Sequence, residues 1–275
     1  MSRPPVTAAT RLCAVIGDPV RHSQSPRLHN AAYEALGLDR IYLALEVPAG
    51  HGRTAVRSIL DLGIDGLNVT MPHKEDAAAA CDELTADAAA LRSVNTVVRR
   101  TDGTLFGAST DGEGFLRSLA DAGIDPSGAA VLVVGAGGAA RAVVAALGRV
   151  GAGVTVAARR PEAASAAAAL APDGRAIDLA GIGAALTGVT LVVQSTPVGM
   201  DGESLPFDPE GLGPSHAVCD LVYHPAVTPL LAAARARGAR TVGGIGMLLH
   251  QAALAFELHT GLAAPLEAMR SAIAT

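Results

Sequence analysis

The chain has 275 residues, enough for two ordinary domains, and 50% of it is hydrophobic, so a large core can form without disulfides. A net charge of −5 argues against a nucleic-acid surface, and no apolar run reaches the roughly 18 residues that a membrane span needs. The three cysteines are scattered and the histidines show no ligand spacing, which argues against a disulfide framework and a metal site. Residues 1–11 lack the apolar core of a signal peptide, and the composition predicts a soluble cytoplasmic protein.

The first part of the chain alternates apolar strands with helices. Ser25 followed by Pro26 predicts a helix start, with Ser25 as the N-cap. Asp102-Gly103 between two apolar runs predicts a hairpin. The predicted strands are 12–17, 41–47, 66–70, 94–98 and 105–109, and the predicted helices are 25–36, 51–62 and one opened by Pro72. These elements form an α/β unit of their own.

A second alternation fills residues 130–243. Strands are predicted at 130–134, 154–158, 190–194, 216–221 and 240–243, with helices between them and with a linking helix at 111–122. Such alternation predicts a parallel sheet with right-handed crossovers. Two further helices, at 247–259 and about 265–274, could pack back on the first unit. The predicted fold is therefore α/β in two domains, 1–110 with 246–275, and a Rossmann-type domain at 111–245.

The apolar strand at 130–134 runs directly into a glycine turn. Gly135 permits the tight turn, Gly137 lets the backbone approach a pyrophosphate, and Ala140 lets the following helix pack closely. The helix that begins near Gly138 directs its N–H groups and its positive dipole end at the phosphates. The pattern predicts a dinucleotide site, against the alternative of an ordinary strand–helix turn.

The end of the next strand indicates which dinucleotide is bound. NAD sites usually place an acidic residue there, but this strand ends in Arg159-Arg160, with no acid before Glu162. Two guanidinium groups can pair with the 2′-phosphate of NADP, which favours NADP. The alternative is a solvated basic pair.

One residue type is unusually scarce. The 21 basic residues are 20 arginines and one lysine, Lys74. Arginine serves equally well for surface charge but cannot give up its proton, so a single lysine is a candidate for proton transfer. The alternative is that Lys74 is an ordinary surface residue that remained lysine by chance. The neighbouring His73 is a weaker candidate for acid–base chemistry.

Six motifs, in order and across nearly the whole chain, resemble those of the shikimate dehydrogenase family. They are Ser23-Gln-Ser25-Pro26, Asn68-Val-Thr70-Met-Pro72-His-Lys74, Val94-Asn95-Thr96, Thr110-Asp111-Gly112, Gly135-Ala-Gly-Gly-Ala139 and Gly246-Met247-Leu-Leu-His-Gln251. The resemblance implies an NADP-dependent oxidoreductase that reduces 3-dehydroshikimate to shikimate in aromatic amino acid biosynthesis. It also implies a substrate-binding domain closed by the C-terminal helices, beside the NADP-binding domain.

The resemblance further implies a role for each matching position. Lys74 and Asp111 would form the catalytic pair. The substrate would be bound by Ser23, Ser25, Thr70, Asn95, Tyr223 and Gln251. The cofactor would be bound by Gly135, Gly137, Gly138, Ala139, Arg159, Arg160, Thr196, Met200, Gly244 and Met247. No metal is implied.

The sequence departs from the family pattern at a few positions. Ser109 and Gln194 stand where the family usually has asparagine, and Ala163 stands where a further basic residue is usual near the 2′-phosphate. Three alternatives stay open at this point: a quinate/shikimate dehydrogenase that uses NAD, a non-catalytic NADP-binding regulator, and an enzyme for another small cyclic substrate. The expected assembly is a monomer or a homodimer.

Overall fold

The computed structural model describes residues 5–274. The chain forms two compact units, Met1–Thr110 with Gln251–Thr275, and Asp111–His250. Within the described residues the strands form two six-stranded sheets, and the predicted α/β class is confirmed. The division at 250/251 and the predicted boundary at 245/246 both fall within one long helix, Ile245–Thr260. None of the described helices is long and apolar enough to cross a bilayer.

The first unit begins with ten elements, in which strands and helices alternate as far as the ninth. They are β1 (Arg11–Gly17), α1 (Ser25–Ala35), β2 (Arg40–Glu46), α2 (Gly52–Leu62), β3 (Gly66–Val69), α3 (Lys74–Ala80), β4 (Glu83–Leu84), α4 (Ala86–Leu91), β5 (Thr96–Arg99) and β6 (Leu105–Ala108). The sheet order is β2-β1-β3-β5-β6-β4. β1 pairs in parallel with β2 and β3, whereas β5 runs antiparallel between β3 and β6, as the hairpin turn predicted.

Local chemistry accounts for most of these boundaries. Helix α2 ends at Gly63, whose φ of 67° is the left-handed conformation that glycine adopts without strain. The predicted N-cap role of Ser25 is wrong, because Ser25 is the first residue of α1 and Gln24 precedes it as the cap. The Ser23 hydroxyl instead accepts the Ser25 N–H at 3.3 Å. The helix predicted to open at Pro72 begins two residues later, at Lys74.

A side chain of α1 forms hydrogen bonds to the main chain of the edge strand β2. The Asn30 amide donates to the carbonyl of Tyr42 at 2.8 Å and accepts the Tyr42 N–H at 3.0 Å. One side chain therefore satisfies both main-chain groups of an edge residue, as a neighbouring strand would.

The second unit is a doubly wound parallel sheet. Its elements are α5 (Asp111–Asp121), β7 (Ala130–Val134), α6 (Gly138–Arg149), β8 (Gly153–Ala157), α7 (Pro161–Ala168), β9 (Arg175–Ile177), α8 (Ile182–Leu186), β10 (Leu191–Gln194), β11 (Ala217–Asp220), α9 (Pro229–Ala236) and β12 (Arg240–Gly243). The order β12-β11-β10-β7-β8-β9 is the Rossmann order, and every strand pair in it is parallel. Helices α10 (Ile245–Thr260) and α11 (Leu266–Ala272) follow.

Both faces of this parallel sheet are buried. Along β7, Val131 and Val133 pack into one apolar core, whereas Leu132 and Val134 pack into the core on the opposite face. A strand that is covered on both faces needs apolar residues at every position. This is why β7 reads as an unbroken hydrophobic run and why its bounds were predicted correctly.

Candidate active site

Helix α1 begins at the predicted carboxylate site. Ser25 is its first residue and is 8% exposed, and Ser23 lies two residues earlier in the preceding turn. The Ser23 hydroxyl accepts the Ser25 N–H, and the Ser23 N–H donates to the carbonyl of Val20 at 3.0 Å. Two hydroxyls and the N–H groups of a helix start are thus placed together, which is a chemically suitable environment for an anion.

Thr70 follows β3 and packs against β1. Its N–H donates to the carbonyl of Ile16 at 2.9 Å, and its carbonyl accepts the His73 N–H at 3.0 Å. A Cβ atom at Gly17 would collide with the Thr70 methyl group, so the close approach requires glycine there. Thr70 is therefore held at the carboxyl end of a central strand.

Lys74, the only lysine in the sequence, is the first residue of helix α3. Contacts of Lys74 and of the neighbouring His73 hold the turn that leads into this helix. The Lys74 carbonyl accepts the Val94 N–H at 3.0 Å, which ties this helix start to the segment that carries Asn95. The His73 ring is fully buried, and its Nε2 lies 2.7 Å from the carbonyl of Val47. A buried ring that bonds to a main-chain carbonyl anchors the turn, which argues against an acid–base role for His73.

Asn95 bonds to Thr110, at the junction between β6 and the following helix. The Asn95 Oδ1 accepts the Thr110 N–H at 2.9 Å, and the Asn95 Nδ2 donates to the Thr110 hydroxyl at 2.9 Å. That hydroxyl donates to the main-chain carbonyl of Gln251 at 3.1 Å. Two of the predicted substrate residues, Asn95 and Gln251, are therefore linked through Thr110.

Asp111 and Tyr223 belong to the second unit. Asp111 directly follows Thr110 in the chain, is 7% exposed and begins α5. Tyr223 lies in the loop after β11, and burial raises the pKa of its hydroxyl above the ordinary value. The fully buried Asp220 accepts the Val222 N–H at 3.0 Å and the Thr228 hydroxyl at 2.6 Å, which fastens that loop at both ends.

The glycine turn after β7 has the geometry that a pyrophosphate site needs. Gly135 has a φ of 119°, and a Cβ atom there would lie 2.6 Å from the Ser195 hydroxyl. Gly137 is the N-cap of α6, with no side chain capping the helix, and a Cβ atom there would meet nothing within 4 Å. Gly138 and Ala139 form the first turn of that helix. The backbone at this helix N-terminus is accessible, so these residues fit a bound dinucleotide.

The loop after β10 closes one side of this turn. Gln194 is fully buried. Its Nε2 donates to the carbonyls of Thr196 and Val198, each at 2.9 Å, and its Oε1 accepts the Thr196 N–H at 2.7 Å. Gln194 therefore fixes the loop that carries Thr196 and Met200, although the family usually has asparagine at this position. The Met200 side chain is 51% exposed.

The remaining predicted cofactor residues differ in exposure. Gly244 packs so closely on the Leu221 carbonyl that a Cβ atom would collide with it, and Met247 is 8% exposed within the core of this unit. Arg159 and Arg160 are exposed, directly after β8 and before α7. Two guanidinium groups at the end of this strand fit a 2′-phosphate.

The strand order and the glycine turn define a Rossmann-type dinucleotide-binding protein with a second α/β unit. Residues 15–97 match the model described as the shikimate dehydrogenase substrate binding domain, and residues 244–274 match the shikimate 5'-dehydrogenase C-terminal domain. The chain belongs to the shikimate dehydrogenase family, as its motifs predicted.

Relatives match over almost the full length. The shikimate dehydrogenase (NADP(+)) of Methanopyrus kandleri is 46% identical, over 98% of this chain and 96% of its own. The shikimate 5-dehydrogenase of Thermus thermophilus in complex with NADP(H) and shikimate has a TM-score of 0.87 at 38% identity, covering 95% of this chain and 98% of its own. A quinate dehydrogenase from Corynebacterium glutamicum in complex with NAD has a TM-score of 0.90 at 33% identity, covering 96% of this chain and 99% of its own.

The predicted residues divide between the two units. Ser23, Ser25, Thr70, Lys74, Asn95 and Gln251 lie in the first, and Asp111, Tyr223 and the predicted cofactor residues lie in the second. The pairing of Lys74 with Asp111 stays a prediction. Three buried side chains that bond to these residues or to their loops, Thr96, Gln194 and Asp220, were not predicted in this role. Their partners lie within eight residues in the sequence, but spacing alone does not show which polar atoms of nearby residues meet. Within residues 5–274, no group of three or more His, Cys, Asp and Glu side chains could hold a metal ion.

Proposed function

We propose that this chain catalyses the NADP-dependent, reversible reduction of 3-dehydroshikimate to shikimate, a step of aromatic amino acid biosynthesis. The observation that carries the proposal is the set of hydroxyl, amide and ammonium side chains that the first unit places at strand ends and helix starts, within a chain 46% identical to a shikimate dehydrogenase (NADP(+)). Hydroxyl and amide groups suit a polyhydroxylated ring, and the α1 start suits its carboxylate.

In this proposal each polar side chain binds one part of the substrate. Ser23 and Ser25 hold the carboxylate, Thr70, Asn95 and Gln251 hold the ring hydroxyls, and Tyr223 is a further substrate-binding residue. Fixing the ring in one orientation lowers the entropic part of the barrier. When bound, NADPH supplies the hydride for the ring carbonyl.

Lys74 and Asp111 transfer the proton to and from the reacting oxygen. A lysine ammonium can donate a proton and regain it, whereas an arginine cannot, and the sequence keeps a single lysine at this turn. If the two side chains interact, their titrations are coupled, and the proton then belongs to the pair and not to either residue.

The cofactor is NADP, in agreement with the names of the relatives. Gly135, Gly137, Gly138 and Ala139 would hold the pyrophosphate. Arg159 and Arg160 would hold the 2′-phosphate.

A second candidate activity is quinate oxidation with NAD, because a quinate dehydrogenase in complex with NAD is similar over 96% of this chain. An absorbance assay of shikimate and of quinate, each with NADP and with NAD, separates the two activities. We expect turnover of shikimate with NADP to exceed the other three combinations. Turnover only with quinate and NAD would replace the proposal, and no turnover with any combination would favour the non-catalytic NADP-binding regulator. The cytoplasmic location and the choice between monomer and homodimer stay predictions.

A further inference from the structure

The loop after β10 lies beside the glycine turn, on the central pair of strands of the parallel sheet. β10 pairs in parallel with β7, and Gln194, the last residue of β10, is in register with Val134, the residue before Gly135. The N–H and the hydroxyl of Ser195 both donate to the Val134 carbonyl, at 2.9 and 2.7 Å. The residues that follow, 196–200, therefore begin next to the predicted pyrophosphate site. We call them the 196–200 segment.

The strand order indicates which half of a dinucleotide this segment would meet. The chain reverses its direction across the sheet between β7 and β10, with β8 and β9 on one side and β11 and β12 on the other. A dinucleotide lies across the crevice at such a switch point. Arg159 and Arg160 follow β8, so the adenosine half with its 2′-phosphate belongs on that side. The nicotinamide half then belongs on the β10 side, with the 196–200 segment.

The side chain of Gln194 supplies three hydrogen bonds to this segment. Its Nε2 donates to the carbonyls of Thr196 and Val198, and its Oε1 accepts the Thr196 N–H. The orientation of the amide is fixed, because the two carbonyls can only accept and the N–H can only donate. Gln194 is 0% exposed, so it acts on the segment and does not touch a bound cofactor.

No other side chain replaces these bonds. Within residues 5–274, the remaining hydrogen bonds of the 196–200 segment stay inside the loop. They run from the Val198 N–H to the Thr196 hydroxyl at 3.2 Å, from the Met200 N–H to the Pro197 carbonyl at 3.2 Å, and from the Gly202 N–H to the Gly199 carbonyl at 3.1 Å. Removal of the Gln194 amide would leave three main-chain groups of the segment without their partners, so the segment would lose its single arrangement.

We propose that Gln194 is a positioning residue for the nicotinamide half of NADPH, because its amide holds the 196–200 segment in one arrangement. The segment carries Thr196 and Met200, both predicted to bind the cofactor. Met200 is 51% exposed although it is apolar, and a flexible thioether suits contact with an aromatic ring. The adenosine half is bound on the β8 side and does not depend on Gln194. The inference rests on the proposed function, in which NADP binds at the glycine turn.

The test compares two ligands by isothermal titration of the full-length chain. NADPH has both halves, whereas adenosine 2′,5′-bisphosphate has the adenosine and the 2′-phosphate but no nicotinamide. Gln194→Met, which keeps a side chain of similar size without the amide, should raise the Kd for NADPH about tenfold, as for a segment correctly arranged one-tenth of the time. The Kd for adenosine 2′,5′-bisphosphate should stay within about twofold of the wild-type value. An equal rise for both ligands would overturn the proposal.

Two further variants separate positioning from a general loosening of the sheet. Val192→Ala shortens a fully buried side chain of the same strand, so it should lower the Tm and leave both Kd values unchanged. A rise in the Kd for NADPH as large as that of Gln194→Met would overturn the proposal. Gln194→Asn keeps an amide on a side chain one methylene shorter, so its Kd for NADPH should lie between those of wild type and Gln194→Met. If Gln194→Met does not fold, Gln194→Asn is compared with wild type on the same two ligands.

The failure of this inference is distinguishable from the failure of the proposed function. If the wild-type chain binds neither NADPH nor adenosine 2′,5′-bisphosphate, the proposed function is wrong. If the wild type binds both and turns over shikimate, and Gln194→Met binds NADPH equally well, the proposed function stands and the positioning role of Gln194 is overturned.

Discussion

The imidazole of His29 stacks on the ring of Tyr42, with their centroids 4.2 Å apart and their planes 6° from parallel. His29 is fully buried, and neither of its ring nitrogens has a hydrogen-bond partner among residues 5–274. A second buried histidine, His259, has its ring centroid 6.2 Å away. A charge on either ring would be poorly solvated, so both rings must be neutral in the folded state.

This arrangement predicts that stability decreases in mild acid. Burial lowers the pKa of His29 well below its ordinary value of 6.5 and lowers the pKa of His259 to about 4. Below about pH 6.5 the unfolded chain binds protons that the folded chain does not, so the free energy of unfolding falls as the pH falls toward about 4. Each proton contributes up to about 1.4 kcal/mol per pH unit, and urea unfolding across this range measures the slope.

Substitution of His29 measures how much this ring contributes to the pH dependence of the free energy of unfolding. His29→Leu should give a shallower slope than wild type between about pH 6.5 and pH 4, because one buried titrating group is gone. His51→Ala, at an exposed position, is the matched control and should keep the wild-type slope. An unchanged slope in His29→Leu would show that other groups cause the acid sensitivity.

Lys74→Arg and Lys74→Ala should both lose about 10²-fold or more in kcat with little change in KM, the scale of general acid–base catalysis. The arginine variant keeps the charge but cannot exchange a proton. Arg53→Lys, at an exposed position of α2, is the control for a basic exchange and should keep full activity. Wild-type turnover by Lys74→Arg, measured in the shikimate assay, would contradict a proton-transfer role.

Gly135→Ala and Gly137→Ala should separate folding from cofactor binding. At Gly135 the positive φ and the nearby Ser195 hydroxyl make a side chain costly, so we expect this variant to lose about 1–3 kcal/mol of stability. At Gly137 a methyl group has space, so Gly137→Ala should keep its Tm. It should nevertheless bind NADPH at least about tenfold more weakly, because the methyl group obstructs the approach of the pyrophosphate. Thermal unfolding and NADPH titration test the pair; equal NADPH affinity in Gly137→Ala would argue against a phosphate site here.

Replacing both Arg159 and Arg160 with alanine should raise the KM for NADPH by about 10- to 100-fold, since two charge-assisted contacts are removed. The KM for NADH should not change, because NADH lacks the 2′-phosphate. Arg53→Ala makes a charge change in the first unit and should alter neither value. An equal rise in the KM for NADPH and for NADH would show that these arginines contact a part of the nucleotide that both cofactors share, and not the 2′-phosphate.

Much of the fold could be predicted because its strongest signals are local. The bounds 130–134 and 240–243 agree with β7 and β12, and α2 ends at Leu62, as predicted. The two-residue β4 and the alanine-rich α4 were missed, since neither has enough alternation or periodicity to separate it from a loop. The edge strand β9 was missed for a related reason: it is only three residues long and largely exposed.

The site was predicted less completely, because a motif identifies the site residues but not the side chains that hydrogen-bond to them. The resemblance implies that Asn95 and Tyr223 bind the substrate, and both roles stay predictions. It did not indicate that the Thr96 hydroxyl donates to the Asn95 amide oxygen or that Asp220 fastens the loop of Tyr223. These partners are close in the sequence, but which of their polar atoms meet depends on backbone conformation and burial, which a motif does not specify. The N-cap prediction failed because Ser25 is already the first residue of α1 and Gln24 is its N-cap.

The bond between Asn30 and Tyr42 has a consequence for how copies of this protein meet. A strand arriving from a second molecule would have to displace the amide from both main-chain groups of Tyr42 before the sheet could grow past β2. The Asn30 side chain on α1 therefore disfavours the addition of a strand from a second molecule at this position of the sheet edge.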